Sequence, residues 1–171
     1  MTKMTSALAN KTLRKLNEDK EFWRNKEHDG SLYVAAINEE PVIPDYDYCE
    51  VSNNIKEIDD KILKIKHAIN VSNCINEIQV GDDKMTADTI LVKLAQLNKR
   101  KSILGHMRKR QPKTRVKTDY YAARSNTPEY EYINYDLDLV KREYEQIDAK
   151  VSEMQMALDK YNQTVEFDVD I

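Results

Sequence analysis

The side chains best suited to catalysis or metal binding are scattered along the sequence. The three histidines, His28, His67 and His106, lie on separate segments, and none has a second ligand at a metal-binding spacing. Neither Cys49 nor Cys74 belongs to a nucleophile motif. The three glycines are isolated and cannot form a phosphate-cradling loop. The sequence therefore predicts no catalytic, cofactor-binding or metal-binding residue, and no enzyme.

A strongly basic stretch is the clearest candidate binding element. Between Asp88 and Asp119 the sequence has ten lysines and arginines and no acid. Lysine and arginine side chains bind phosphates with an affinity that falls as the salt concentration rises. Tyr120 and Tyr121, next to the stretch, are placed to stack on nucleobases. The candidate polyanion contacts in segment 99–117 are Lys99, Arg100, Lys101, Arg108, Lys109, Arg110, Lys113, Arg115 and Lys117.

The same bases have a structural alternative. From Glu129 to Ile171 the chain carries twelve acids and four bases. The basic stretch can therefore face an acidic fourth helix, within one chain or between copies, and fix its register. Because an exposed acidic helix repels nucleic acid, charge pairing is the favoured interpretation, and polyanion binding is the alternative.

Tyrosines are concentrated next to the basic stretch. Five of the ten tyrosines lie within 16 residues. Tyrosine combines a large contact area with a hydroxyl group, which suits it to interfaces. These residues favour self-association over a ligand site. The candidate interface residues are Tyr120, Tyr121, Tyr132 and Tyr135.

Four segments carry the apolar spacing of amphipathic helices, at about residues 2–26, 51–72, 87–110 and 133–161. The stripe of the second segment is Val51, Ile55, Ile58, Ile62, Ile65 and Ile69. Alternating steps of three and four residues are typical of coiled coils. We therefore expect a mainly α fold with four helices in antiparallel coiled-coil-like hairpins, forming a single domain over residues 1–171.

The connections 27–48, 75–85 and 111–132 contain all four prolines and are expected to be irregular or β-prone. Candidate strands are Leu32 to Ile37 and Ile75 to Val80, the second of which runs into a turn at Gly81. The tail 165–171 alternates apolar and acidic residues, as a half-buried strand does. A small β element at one end of the helices is therefore expected.

Composition favours a cytoplasmic protein. Charged residues make up 33% of the chain, and the two cysteines lack the spacing of a disulfide framework. The N-terminal residues lack the apolar core of a signal peptide. No stretch approaches the ~18 apolar residues of a membrane span. We therefore expect neither secretion nor membrane insertion.

The order of three pieces resembles a family of uncharacterised helical bacterial proteins, some of which are labelled septicolysin. The resemblance covers about residues 51–160 and leaves segments 27–48 and 111–132 unmatched. It implies a helical fold without an established activity, so no catalytic residue carries over. The label suggests a haemolysin, but salt-bridged amphipathic faces do not suit lysis. The matching residues are Ile69-Asn70-Val71-Ser72-Asn73, then Leu94, Leu97, Arg100 and Leu104, then Ile147-Asp148 with Met154-Gln155.

Together these patterns favour a non-enzymatic helical interaction or scaffold protein that self-associates, with its biological task unknown. A homo-oligomer is expected because three long apolar stripes in a small chain bury more surface between copies than within one. Nucleic acid is not the favoured partner, and no cofactor, membrane or small-molecule substrate is indicated. A polyanion-binding module using segment 99–117 is the alternative.

Overall fold

The computed structural model describes residues 1–116 and 128–171. The helices in this part of the chain are α1 (Ser6–Gly30), α2 (Tyr48–Ile75), α3 (Ala87–Met107) and α4 (Leu137–Thr164). The strands are β1 (Thr2–Thr5), β2 (Glu77–Val80), β3 (Asp83–Thr86), β4 (Lys113–Arg115), β5 (Tyr130–Tyr132) and β6 (Glu166–Val169). The prediction of a mainly helical chain with four helices and a few short strands is confirmed.

The helices associate in two pairs, α1 with α2 and α3 with α4. In the first pair, Lys20 contacts Asp59 at 2.6 Å and Lys26 contacts Glu50 at 3.2 Å. Residue numbers therefore rise along α1 as they fall along α2, and these two helices are antiparallel.

The apolar stripes predicted from sequence lie inside these pairs. Ile58 and Ile65 are buried, and Ile62, Ile147 and Val151 are half-buried. All five belong to helices. Burial of one face explains why the three-and-four spacing forms helices here rather than strands.

One end of the molecule, which we call the base, gathers two short antiparallel sheets around four helix ends. β1 pairs with β6, and β2 pairs with β3. The Ser72 hydroxyl near the end of α2 lies 2.7 Å from the Tyr161 hydroxyl near the end of α4. The Asn76 amide donates to Ser72 Oγ at 2.9 Å. This buried hydrogen-bonded group joins the two helical pairs.

Two apolar clusters fill the base. One belongs to the α1/α2 pair with β1 and β6, and its buried members are Met4, Ala9, Leu13, Ile65 and Val169. The other belongs to the α3/α4 pair with β2 and β3, and its buried members are Ile78, Val80, Ala87, Ile90, Leu94, Met154, Leu158 and Tyr161. Each helical pair therefore has its own core, and the two cores meet at the Ser72–Tyr161 contact.

Two predicted helix starts were wrong. The first helix begins at Ser6 rather than at residue 2, because residues 2–5 pair with the tail as β1 and Thr5 caps the helix through a bond from the Leu8 N–H. The fourth begins at Leu137 rather than at residue 133, because Asp136 accepts hydrogen bonds from the first N–H groups of the helix. The segment just before it forms β5.

Other boundaries differ by a few residues. The second helix begins at Tyr48, where Asp47 supplies the cap, and continues to Ile75. The third begins after Thr86 as predicted but ends at Met107 rather than residue 110. The backbone tightens into a turn there, ahead of Pro112, which disfavours helical geometry in the residue before it.

The β-prone connections behave differently from one another. The stretch Leu32 to Ile37, a candidate strand, has no strand partner in the described part of the chain and is not a strand. The candidate ending at Val80 forms β2, and Gly81 adopts a positive φ of 57° in the turn to β3. The tail strand forms as β6. The sheets lie at both ends of the helices rather than at one.

Candidate functional site

The middle of the basic stretch lies against α4. The Arg100 guanidinium contacts both carboxylate oxygens of Glu143, with the shorter distances at 3.1 Å. Lys101 contacts Asp148, and this hydrogen bond raises the pKa of Lys101 above its ordinary value. The Arg108 guanidinium carbon lies 3.6 Å from the centre of the Tyr144 ring. Since Lys101 meets Asp148 and Arg108 meets Tyr144, α3 and α4 are antiparallel.

Beyond α3, the stretch continues into a two-stranded ribbon of β4 and β5, which we call the tip ribbon. Cross-strand register places Lys113 opposite Tyr132 and Arg115 opposite Tyr130, so these four side chains share one face. The Lys113 ammonium lies 4.1 Å from the centre of the Tyr130 ring. All four residues are exposed. This face is both cationic and aromatic.

The remaining candidate contacts are divided. Arg110 contacts Glu131 at 3.5 Å, where the tip ribbon joins the end of α3. Lys99 and Lys109 are exposed on α3 and just beyond it, without an acidic partner in residues 1–116 and 128–171. Lys117 lies outside the described residues. The basic stretch is thus partly paired and partly open.

The four candidate interface tyrosines are divided as well. The Tyr135 hydroxyl donates to the Met107 carbonyl at 2.8 Å, so it closes the end of α3. Tyr132 is exposed on the tip ribbon. Tyr120 and Tyr121 lie outside the described residues. Of the two that are described, Tyr132 is the one whose side chain is exposed to solvent.

A second exposed region was not identified as a site from sequence. Residues 31–47, which we call the tip loop, connect α1 to α2. Val34 is 100% exposed and Val42 is 91% exposed. The other strongly exposed apolar residues of this loop are Leu32, Tyr33, Ile37 and Ile43. Clusters of exposed apolar side chains are typical of interaction sites.

The tip loop is held firmly where it rejoins the helices. A Cβ on Gly30 would lie 2.7 Å from Tyr46 Cβ, so only glycine lets the loop pack this closely on the end of α1. Asp47 accepts hydrogen bonds from the Cys49 and Glu50 N–H groups and fixes the start of α2. The exposed apolar residues therefore belong to a loop whose C-terminal end is fixed against α1 and α2.

At the opposite end of α2 there is a groove between the helix and β6, which we call the α2 groove. Its volume is about 520 Å3. Its apolar lining includes Ala68, Val71, Ile75 and Phe167. Ile75 is 69% exposed. The α2 groove thus lies along the C-terminal half of α2, a helix about 42 Å long, whereas the tip loop precedes its first residue.

The described residues contain no group of three histidine, cysteine or acidic side chains able to hold a metal ion. Nor, in residues 1–116 and 128–171, is any helix long and apolar enough to span a membrane. A hydrogen bond from the Thr86 hydroxyl lowers the pKa of Asp88. Hydrogen bonds from backbone N–H groups of α4 lower the pKa of Asp136. Both acids lie at helix starts.

A solved structure shares this fold. It is the crystal structure of a functionally unknown conserved protein from Corynebacterium diphtheriae, with a TM-score of 0.64 and 14% sequence identity. The match covers 98% of this chain and 100% of that one. No protein-family model matches the chain, and no curated protein matches it. The neighbour shows the fold and assigns no function, and the resemblance to the septicolysin-labelled family stays a prediction.

Proposed function

We propose that this chain is a non-enzymatic, cytoplasmic interaction or scaffold protein that self-associates through its helical hairpins. In this proposal the α1/α2 and α3/α4 pairs are coiled-coil-like arms, and the arms present contact surfaces to further copies.

The exposed tip loop carries this proposal. Its apolar side chains contact water in the single chain, and leaving each in water forgoes roughly 25 cal/mol for every Å2 that a partner could cover. The loop rejoins α2 through Tyr46 and Asp47, so part of the ordering cost of binding is already met. A partner surface for this loop is therefore the simplest explanation of its composition.

The test is to measure the molar mass of the purified chain by light scattering at micromolar concentration. The variant replaces Leu32, Val34, Ile37 and Val42 with serine. The matched control replaces four exposed apolar residues elsewhere with serine, namely Leu91, Val92, Leu139 and Met156. We expect an oligomer for the wild type and the control, and a monomer for the loop variant. A compact wild-type monomer would contradict the proposal.

A second candidate function is polyanion binding at the tip ribbon. The observation in its favour is the shared face of Lys113, Arg115, Tyr130 and Tyr132, since cations and aromatic rings side by side suit single-stranded nucleic acid. One observation argues against this candidate. Three basic residues of the stretch already contact acids of the same chain, namely Arg100 with Glu143, Lys101 with Asp148 and Arg110 with Glu131.

Fluorescence anisotropy with labelled single-stranded DNA and RNA tests this candidate at about 50 mM salt, where phosphate contacts are strong. If the tip ribbon binds, the Lys113→Glu/Arg115→Glu variant loses affinity and the Lys93→Glu variant keeps it. Absence of binding by the wild type at this salt concentration removes the candidate.

A further inference from the structure

The outward face of α2 carries an exposed leucine between two exposed cysteines. Residues at steps of three, four and seven along it share one side, opposite the buried Ile58 and Ile65. All of them are exposed, and Leu63 near the middle of the helix is 67% exposed. The members of this face are Cys49, Lys56, Asp60, Leu63, His67 and Cys74.

Charge along α2 divides at its midpoint. The half from Tyr48 to Asp60 contains four acids and one base, and the half from Lys61 to Ile75 contains three lysines and no acid. Glu50 and Asp59 contact lysines of α1, so Glu57 and Asp60 are the acids that an antiparallel second copy would set against the lysines of its basic half. A parallel arrangement would set like charges together.

The tip loop and the α2 groove, two apolar surfaces at opposite ends of α2, would also meet in an antiparallel pair of copies. The tip loop precedes the first residue of α2, and the α2 groove lies beside its last residues. Because the two surfaces lie towards opposite ends of a rigid helix about 42 Å long, a chain cannot place its own tip loop in its own groove. Two copies related by a two-fold axis through the middle of α2 bring each loop beside the other copy's groove.

The first part of the tip loop has the composition to bind in the α2 groove of the other copy. The segment from Leu32 to Ile37 carries no charge, so the acids of β6 on one wall of the groove do not repel it. The other wall offers Lys64, which can attract Glu39 and Glu40 of the loop. Among the described strands β6 pairs with β1 only, so its second edge has no strand partner there, and in this arrangement the extended segment would lie along it.

We propose that the occupant of the outward face of α2 and of the α2 groove is a second copy of this chain. The two α2 helices lie antiparallel, and each tip loop is seated in the partner's groove. This inference rests on the proposed self-association and gives it one closed, two-fold interface, in which the same surface is used twice.

The arrangement makes a specific statement about the two cysteines. Cys49 is the second residue from the start of α2, and Cys74 is the second residue from its end. Both are free thiols and exposed on the proposed contact face. Cys49 of each copy therefore lies across from Cys74 of the other, whereas two Cys49 residues lie almost a helix length apart.

The experiment is cross-linking of the purified full-length chain with a short bismaleimide, which joins two thiols by addition. Peptide mapping by mass spectrometry then identifies the linked residues. We expect covalent dimers joined between Cys49 and Cys74. Neither Cys49→Ser nor Cys74→Ser alone should give them, while a mixture of the two variants should.

A second measurement uses charge and size changes on the same face. Leu63→Asp should raise the dimer dissociation constant by roughly tenfold or more, because each new carboxylate would lie across from Asp60 of the other copy, near the two-fold axis. The matched control is Leu139→Asp, at an exposed leucine on α4, which should leave the constant unchanged. Val34→Asp and Ile75→Asp should each weaken the dimer, because both place a charge in the seated segment or its groove.

The outcomes separate this inference from the proposed function. A wild-type chain that is monomeric by light scattering overturns both. An oligomer that gives Cys49–Cys49 or Cys74–Cys74 links, gives no links, or tolerates Leu63→Asp overturns the α2 interface and leaves self-association standing. An oligomer with Cys49–Cys74 links that Leu63→Asp disrupts is the result expected here.

Discussion

The two helical pairs are built alike at the base and differ at their tips. The described part of the α3/α4 tip is the hydrogen-bonded ribbon of β4 and β5, where Arg110 contacts Glu131. The α1/α2 pair ends in the tip loop, whose apolar side chains have no cover in the described residues, and its α2 helix leaves Leu63 open to water. The described part of one tip is thus hydrogen-bonded as a ribbon, whereas the tip loop pairs with no strand among the described residues.

This difference separates stability from association. Both pairs have buried residues at the base that hold the chain together, at Ile65 in one and Ile90 in the other. Among the described residues, the fully exposed apolar side chains Val34 and Ile37 belong to the tip loop of the α1/α2 pair. Changes at the base should therefore alter unfolding, whereas changes at the tip loop and the outer face of α2 should alter assembly.

The largest effects should come from truncating the two cores. Ile65→Ala and Ile90→Ala each remove a fully buried side chain, and each should lower the free energy of unfolding by about 2–5 kcal/mol. Urea unfolding followed by circular dichroism measures the loss at fixed protein concentration.

The same experiment tests whether the pairs unfold together. Trp23, the single tryptophan, lies on α1 and reports the α1/α2 pair, while circular dichroism reports all four helices. Because Ser72 and Tyr161 join the pairs, the two signals should change at one midpoint in both variants. Separate midpoints would show that the pairs are independent units.

The contact between the pairs gives the next largest effect. Ser72→Ala and Tyr161→Phe each remove one partner of a buried hydrogen bond, and each should cost about 1–3 kcal/mol. A double-mutant cycle should give a coupling of about 0.5–3 kcal/mol. Additive losses would mean that the bond between the hydroxyls contributes nothing of its own.

Charge pairing between α3 and α4 should matter less. Arg100→Ala removes a partly exposed pair with Glu143 and should cost about 0.2–1 kcal/mol. The loss should shrink in high salt, because exposed charges are screened. Thermal melts at low and high sodium chloride measure this dependence, and a loss that is independent of salt would assign the role of Arg100 to packing instead.

The smallest effect concerns pH and the start of α4. Hydrogen bonds from the Leu139 and Asp138 N–H groups lower the pKa of Asp136, so its contribution is present above the unfolded value of about 3.9. That contribution is lost as pH falls through the lower folded pKa. The difference in melting temperature between wild type and Asp136→Asn should therefore narrow below about pH 4.

Asp138→Asn is the control for this measurement, since it removes a charge from the same turn without removing the cap. The difference in melting temperature between wild type and Asp138→Asn should not narrow below about pH 4 as it does for Asp136→Asn. If the two variants behave identically down to low pH, the cap at Asp136 is not the source of the effect.

Much of the helical framework was predictable from sequence, because a stripe such as Ile58, Ile62 and Ile65 can be buried only on one face of a helix. The position of Thr86 before α3 was predictable as well. The start of α4 was not, since Ile133 continues the apolar rhythm of that helix although Asp136 interrupts it with a cap. Local spacing alone does not decide between a rhythm and a cap.

Contacts between distant residues were less accessible. Strand β1 escaped prediction because it is four residues long and its partner, β6, lies at the other end of the chain. The candidate site was mixed: Tyr132 is exposed as an interface residue would be, but Tyr135 closes α3. The exposure of Val34 could not be predicted, because composition does not reveal whether an apolar segment is covered.

Hydrogen exchange at two protein concentrations tests the central claim of self-association most directly. Amide exchange would be followed by mass spectrometry for the tip loop and for residues 63–75 of α2, with residues of the α3/α4 pair as the internal reference. We predict slower exchange in both segments at high concentration and no change in the reference. Identical exchange at both concentrations, in a chain that is monomeric throughout, would contradict the account.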